Sequence, residues 1–170
     1  MPATPSDLFA FLDRLGIAHV TVTHPALFTV EQSRELRGTI PGAHTKNLFL
    51  KDKKDALFLV VAREDAAIDL GRLHGRIGAS GRLSFGRPEL LAQTLGVTPG
   101  SVTPFGLIND AQRRVTVILD EELLDGEWLN FHPLHNAAST TLRSADLVRF
   151  IRALGYQPRI VRLPAPPADD

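Results

Sequence analysis

The sequence of 170 residues contains no cysteine, and methionine, tryptophan and tyrosine each occur once. Without thiols the chain cannot form disulfides, thiolate nucleophiles, cysteine-ligated zinc sites or iron–sulfur clusters. It also lacks a run of about 18 apolar residues, which excludes a transmembrane helix. Nineteen basic side chains balance nineteen acidic ones. Binding of nucleic acid would therefore need a local basic patch, because the overall charge supplies no attraction.

The composition that remains is typical of a globular protein. Apolar residues make up 44% of the chain and charged residues 22%, and the length suits one domain with its own core. The N-terminus carries acids and an amphipathic pattern in place of a basic flank and an apolar run, so no secretory signal is expected. We expect a soluble, cytoplasmic protein with one domain over 1–163 and a disordered, proline-rich acidic tail over 164–170.

Hydrophobic periodicity predicts a mixed α/β fold. Helices are predicted over residues 8–15, 30–37, 66–75, 87–95 and 144–154. Strands are predicted over residues 17–23, 46–51, 56–62, 105–109, 113–119 and 157–163. The run 56–62 is almost wholly apolar, which indicates a buried central strand paired in a hairpin with 46–51. Hairpins interspersed with helices favour a mixed, largely antiparallel sheet flanked by helices over a parallel βαβ array.

Several common catalytic motifs are missing. The spacing Gly38, Gly42, Lys46 does not fit a phosphate loop, and GxGxxG and HExxH do not occur. Pro133 separates His132 from His135, which makes a helical pair of metal ligands unfavourable. No GxSxG elbow surrounds Ser101, so an activated serine there is not favoured over a hydrogen-bonding one. We predict neither a metal site nor a cofactor.

All four lysines lie on the predicted hairpin, and one of them stands apart. Lys51, Lys53 and Lys54 alternate with acids at the turn, which is typical of a solvated surface. Lys46 begins an apolar strand after a glycine-containing loop, where its ammonium could lean into a cleft and bind a carbonyl or phosphate oxygen. From spacing alone, a functional and a structural role for Lys46 are equally open.

Arginines and two polar loops are further candidates. The segment 71–87 contains no acid and is rich in glycine, and its four arginines could pair with RNA phosphates or form a solvated basic face. These four residues are Arg72, Arg76, Arg82 and Arg87. The loop 100–106 is rich in glycine and hydroxyl groups, and the loop 130–136 is rich in polar and aromatic side chains. These groups could line a small pocket or could serve only to form turns.

Four motifs together resemble one known family. They are HPALFTVE at 24–31, GAHTKNLFLKDKK at 42–54, GSVTPFGLIND at 100–110 and FHPLHN at 131–136, with Thr140 after the last. Their order over about residues 5–163 is similar to that of the YbaK and prolyl-tRNA-synthetase-associated editing domain family. The residues of the second and third motifs most resemble those of the free-standing branch of this family. That branch is the PrdX or ProXp-ala type, which deacylates alanyl-tRNA(Pro).

The resemblance implies a mixed sheet flanked by helices and a trans-editing hydrolase that cleaves mischarged aminoacyl-tRNA, foremost alanyl-tRNA(Pro), without metal. It implies mischarged tRNA(Pro) and prolyl-tRNA synthetase as partners, with no membrane and no DNA. The implied catalytic residues are Lys46 and Asn47. The implied substrate-binding residues are Gly100, Ser101, His132, Phe28, Val30 and Ser33.

Two other readings of the residues stay open. The chain could be a non-catalytic module that binds nucleic acid or a small ligand through its arginines. It could also be a hydrolase of free esters that ignores RNA. Turnover of aminoacyl-tRNA would distinguish an editing enzyme from the binding module. Inhibition by salt would distinguish an enzyme that contacts RNA phosphates from the hydrolase of free esters.

Overall fold

The computed structural model describes residues 1–26 and 40–167. The predicted helix over 30–37 and the candidate pocket residues Phe28, Val30 and Ser33 lie outside the described residues. In the described ranges the helices are α1 (Pro5–Arg14), α2 (Leu70–Ile77), α3 (Pro88–Leu95) and α4 (Ser144–Ala153). The strands are β1 (His19–Thr23), β2 (Ala43–Lys51), β3 (Leu57–Arg63), β4 (Ser84–Phe85), β5 (Val115–Asp120), β6 (Trp128–Phe131), β7 (Ala138–Arg143) and β8 (Arg159–Val161).

The described strands form one mixed sheet in the order β1-β7-β6-β2-β3-β5-β8, with β4 paired to the end of β2. Pairings β1–β7, β6–β7, β2–β3 and β2–β4 are antiparallel, and β2–β6, β3–β5 and β5–β8 are parallel. The mixed sheet flanked by helices that the sequence predicted is confirmed. As expected, β3 is an interior strand, and six of its seven residues are buried.

The sheet separates two hydrophobic cores because successive side chains on a strand point to opposite faces. Phe49, Leu59 and Val117 point to the main core, where α1, α3 and α4 pack. Leu50 and Val60 point to a second core, which is covered by α2. We call the side of the sheet that carries α2 the second face. The parity of a residue on β2, that is, whether its number is even or odd, therefore decides on which face of the sheet its side chain lies.

Several parts of the chain differ from the sequence predictions. Residues 105–109, predicted as a strand, lie in a 3-10 helix over Pro104–Asn109, in which the Thr103 hydroxyl accepts the amide hydrogen of Phe105. Proline at the first position favours this helical turn because its φ is restricted and its missing N–H is not needed there. Strands β6 and β7 were not predicted, because both are short and polar on one face.

The start of α2 also differs from the predicted helix over 66–75. The Asp69 carboxylate caps the helix by accepting the amide hydrogen of Gly71, and the helix begins at Leu70. It ends at Gly78, whose φ of +73° lies in the left-handed region that glycine adopts without strain. The other predicted helices and strands in the described ranges agree with the structure to within a few residues.

The C-terminal segment after β8 contacts the body of the protein at Pro164, which is buried and whose carbonyl accepts the amide hydrogen of Asp69. The domain limits 1–163 and the disordered tail 164–170 stay predictions. None of the helices in residues 1–26 and 40–167 is long and apolar enough to cross a bilayer.

Asp52 holds the β2–β3 turn together and gives a pH-dependent prediction. Its carboxylate accepts the amide hydrogens of Ser80, Lys54 and Ala56, and the bond from Ser80 is the largest cause that lowers its pKa. A carboxyl group with a lowered pKa in the folded state stabilises the protein above its unfolded pKa of about 3.9. That contribution is lost as the pH falls through the folded pKa.

We therefore expect the melting temperature of the wild type to fall below about pH 4 more steeply than that of Asp52→Asn, which lacks the charge. Thermal melts between pH 2.5 and 7 measure this difference. Asp55→Asn is the matched control, because the Asp55 side chain is 81% exposed on the same turn. Parallel melting curves for wild type and Asp52→Asn would contradict the prediction.

Candidate functional site

Polar side chains cross the second face of the sheet in a row over β2, β6 and β7. His44 on β2 is paired with Asn130 on β6, and Asn130 with Thr141 on β7. The Asn130 amide donates to the Pro41 carbonyl at 2.9 Å and accepts from the Thr141 hydroxyl. Because this amide is bonded at both ends, it fixes the start of β2 against β6 and β7.

Lys46 follows His44 on the same face. Both share the parity of Leu50, which points to the second core. The Lys46 ammonium donates to the carbonyl of Ala66, in the turn after β3. Its side chain is only partly exposed. The amine is therefore held near the sheet, on the face that carries the polar row, and does not extend freely into solvent.

Asn47 lies on the opposite face. It has the parity of Phe49, which belongs to the main core. Its amide nitrogen is 3.4 Å from the Thr45 hydroxyl, and its buried amide oxygen accepts no hydrogen bond from the described residues. The structure therefore does not bring the Asn47 and Lys46 side chains together, although the two residues are adjacent in the sequence.

His132 follows β6 and has a pKa below its usual value. Burial is the main cause that lowers its pKa, and the neighbouring His24, His135 and His44 lower it further. Its Nδ1 is 3.1 Å from the Ala138 carbonyl. A carbonyl only accepts, so Nδ1 carries the proton of the neutral ring and Nε2 is left as an acceptor.

A second imidazole, from His24, lies beside His132, with 6.5 Å between the ring centroids. Its Nδ1 is 2.8 Å from the Pro25 carbonyl and its Nε2 is 3.0 Å from the Ser139 hydroxyl on β7. His24 falls within the first motif, but no role was predicted for it, and none was predicted for Ser139. A signal was present, since His24 precedes a proline and Ser139 begins a run of three hydroxyl residues.

The turn at Gly100 and Ser101 contacts the loop that carries His132. A Cβ atom on Gly100 would lie 3.4 Å from the Asn136 side-chain nitrogen, at ordinary van der Waals distance, so the turn and the loop lie side by side. Ser101 is buried, and its amide already donates to the Thr98 carbonyl at 2.9 Å. The part of this turn that faces the loop is therefore the backbone of Gly100.

The four candidate arginines are all exposed. Arg72 and Arg76 lie on α2, which packs on the second face, and Arg76 also donates to the Arg162 carbonyl. Arg82 lies next to Leu83, which packs against the same core. Arg87 is at the start of α3, which packs on the main core. Three of the four therefore lie on the side of the sheet that carries Lys46.

A cleft of about 510 Å³ lies close to this site but has a different character. It is at the carboxyl ends of the parallel strands β3, β5 and β8, and Ala66, whose carbonyl accepts from Lys46, is one of its lining residues. Four carboxylates and two arginines line it, namely Asp65, Asp120, Glu122, Asp125, Arg63 and Arg162. An acidic lining disfavours a polyanion such as RNA. Within the described ranges, no group of three histidine or acidic side chains is placed to hold a metal ion.

Comparison with known proteins decides the family. The model of the aminoacyl-tRNA editing domain matches residues 24–150. The chain belongs to the aminoacyl-tRNA editing domain family. All four motifs of the sequence-based resemblance fall in or overlap this range, so the predicted family is confirmed. The predicted enzyme class, an aminoacyl-tRNA deacylase active in trans-editing, agrees with this membership.

Relatives within the editing domain family match over nearly their whole length. Prolyl-tRNA synthetase associated domain-containing protein 1 of Danio rerio is 41% identical over 157 residues, covering 91% of this chain and 85% of the relative. Prolyl-tRNA editing protein ProX of Acetoanaerobium sticklandii is 34% identical over 157 residues, covering 92% and 95%. A solved structure proposed to be a trans-editing enzyme for prolyl-tRNA synthetase superposes with a TM-score of 0.70 at 20% identity, covering 96% and 100%, and shares the fold.

Proposed function

We propose that this editing domain hydrolyses alanyl-tRNA(Pro) in trans, by a reaction that needs no metal ion. The observation that supports the proposal is a lysine ammonium on the same face of the sheet as two imidazoles, with a glycine turn against the loop that carries His132. A cation for the carbonyl oxygen and neutral acceptors for a proton are what hydrolysis of an activated ester requires.

Lys46 is the proposed electrostatic catalyst. Attack on an ester carbonyl places negative charge on its oxygen, and a preorganised cation stabilises that charge more in the transition state than in the ground state. At rest the ammonium donates to the Ala66 carbonyl. The substrate carbonyl or the terminal phosphate would take the place of that carbonyl oxygen, so the amine exchanges one acceptor for another.

The remaining proposed site residues position the substrate. His132 presents Nε2 as an acceptor for the terminal ribose or for water, and the vicinal 2′-hydroxyl of the tRNA assists that water. The Gly100 backbone, with the neighbouring Ser101, lines the aminoacyl end. Asn47 has its side chain on the main-core face, the face of Phe49, and so does not act on the same side of the sheet as Lys46.

Size is the proposed basis of discrimination. A pocket shaped for alanine excludes the ring of proline because overfilling a packed site costs about 1–3 kcal/mol, which corresponds to roughly a 5- to 150-fold lower rate. We assign the pocket wall to Phe28, Val30 and Ser33, as the resemblance implies. This steric selection spares the correct product of prolyl-tRNA synthetase, the proposed partner in the cell.

The deciding experiment is a deacylation panel with purified protein. Alanyl-, seryl-, cysteinyl- and prolyl-tRNA(Pro) are incubated with the chain, with and without a chelator. We expect fast loss of alanine, survival of proline and no effect of the chelator. Equal, slow loss of all four amino acids would refute the proposal, and strong inhibition by the chelator would refute its metal-independent part.

The exposed arginines are the proposed contacts to tRNA phosphates. Replacing Arg72 and Arg82 together by alanine should raise the KM for aminoacyl-tRNA and lower the slope of log KM against log salt by about 1–2, because each lost phosphate contact contributes about 0.7–0.9. Arg149→Ala is the matched control, since Arg149 lies on α4 on the opposite side of the sheet and is bound to Asp146 at 2.8 Å. An unchanged salt slope in the double variant would remove these arginines from the interface.

A further inference from the structure

The pair formed by His24 and Ser139 has the geometry of an activated hydroxyl. The Pro25 carbonyl, 2.8 Å from Nδ1, can only accept, so Nδ1 of the neutral His24 ring carries the proton. Nε2 is then an acceptor, and the Ser139 hydroxyl, 3.0 Å away, donates to it. A hydroxyl, a base and a group that orients the base thus occur in series, which is the usual arrangement around a proton-transfer step.

Ser139 lies on the face of the sheet where the candidate site lies. It is paired with Val22 on β1 and has the parity of Thr141, the last member of the polar row. Only 5% of Ser139 is exposed, while His24 is partly exposed beside His132. The serine oxygen keeps a lone pair that can accept a hydrogen bond while its proton is directed at His24.

We propose that Ser139 and His24 form a proton relay that serves the hydrolytic water. The relay is an addition to the proposed function and depends on it. Water held at Ser139 attacks the ester carbonyl, and its proton passes to Ser139 Oγ as the Ser139 proton passes to His24 Nε2. When the tetrahedral intermediate collapses, the bond from carbon to the tRNA oxygen breaks. The proton then returns through Ser139 to that leaving oxygen, which becomes a hydroxyl, and His24 is neutral again.

Several titratable groups lie near His24 and bear on how a pH profile of the reaction is interpreted. In the described ranges, the titratable groups that face it are His132 from the loop after β6, with His135 and His44 close behind, and the cation Lys46 on the same face. All of these remain when His24 alone is replaced. A comparison of pH profiles between wild type and a His24 variant therefore isolates the contribution of this imidazole.

The test measures single-turnover deacylation of alanyl-tRNA(Pro) by wild type, His24→Gln, Ser139→Ala and the double variant. We expect each single change to lower the maximal rate by roughly 100-fold, as loss of general base catalysis does. The double variant should be no slower than either one, because both changes interrupt the same path. Towards acid pH the wild-type rate should fall, and this fall should be weaker in His24→Gln. Ser139→Thr, which retains a hydroxyl, should recover most of the rate.

A matched control separates the relay from a structural role. His19→Gln is the same substitution at the other end of β1, where His19 is bound to Asp13 at 2.9 Å, and it should keep the wild-type rate and pH profile. Additive losses in the double variant, or single variants within threefold of wild type, would overturn the relay alone. A wild-type chain that hydrolyses none of the aminoacyl-tRNAs would overturn the proposed function together with the relay.

Discussion

Lys46→Ala should lower the deacylation rate by at least about 100- to 1,000-fold, the usual cost of removing one preorganised group that stabilises an oxyanion. No other lysine can substitute, because Lys51, Lys53 and Lys54 are the only other lysines and lie at the far end of the hairpin. The loss should appear in the maximal rate more than in the KM, since the ammonium acts mainly in the transition state.

Stability should change little in the same variant. The Lys46 side chain is partly exposed, and its bond to the Ala66 carbonyl contributes about 0.5–1.5 kcal/mol, which corresponds to a fall of roughly 1–6 °C in melting temperature. Lys54→Ala, at the exposed turn of the same hairpin, should retain both rate and stability. A Lys46→Ala protein with nearly full activity would end the proposed mechanism, and one that no longer folds would make the lysine structural.

Phe105→Ala should give the largest loss of stability. The Phe105 side chain is fully buried, and its ring meets Phe131 and Phe150 edge to face, with centroids 5.8 and 5.4 Å apart. Removing a buried aromatic ring costs about 3–5 kcal/mol, since transfer energy is lost and a cavity remains. Calorimetry should therefore record a melting temperature lower by roughly 6–20 °C.

The effect of Phe105→Ala should extend to the site, because Phe131 directly precedes His132 and loses one of its neighbours. Phe105→Leu should show a smaller loss, since a leucine fills part of the volume. Phe85→Ala removes a ring that is 60% exposed and should change the unfolding free energy by at most about 0.5 kcal/mol. A Phe105→Ala protein as stable as Phe85→Ala would contradict the packing described for the main core.

Regular patterns made much of the fold predictable. The apolar run 56–62 indicated an interior strand, and the stripe Leu147, Phe150, Ile151 and Leu154 indicated a helix, because burial of one face imposes a period that can be read along the chain. Strands β6 and β7 were missed because Asn130 and Thr141 are polar. Their pairing supplies the stabilisation that local propensity does not. Residues 105–109 are apolar for a reason other than strand formation, since Phe105 and Leu107 fill the main core from a 3-10 helix.

The sequence by itself determined the family and the identity of the candidate lysine, because the order of the motifs and the residue types are visible in the linear sequence. Only the tertiary structure decided which of these side chains share a face. Neighbours on a strand point apart, so Asn47 is separated from Lys46, whereas residues 115 positions apart meet when His24 accepts the hydroxyl of Ser139. That contact depends on the pairing of β1 with β7, which no local pattern in either segment specifies.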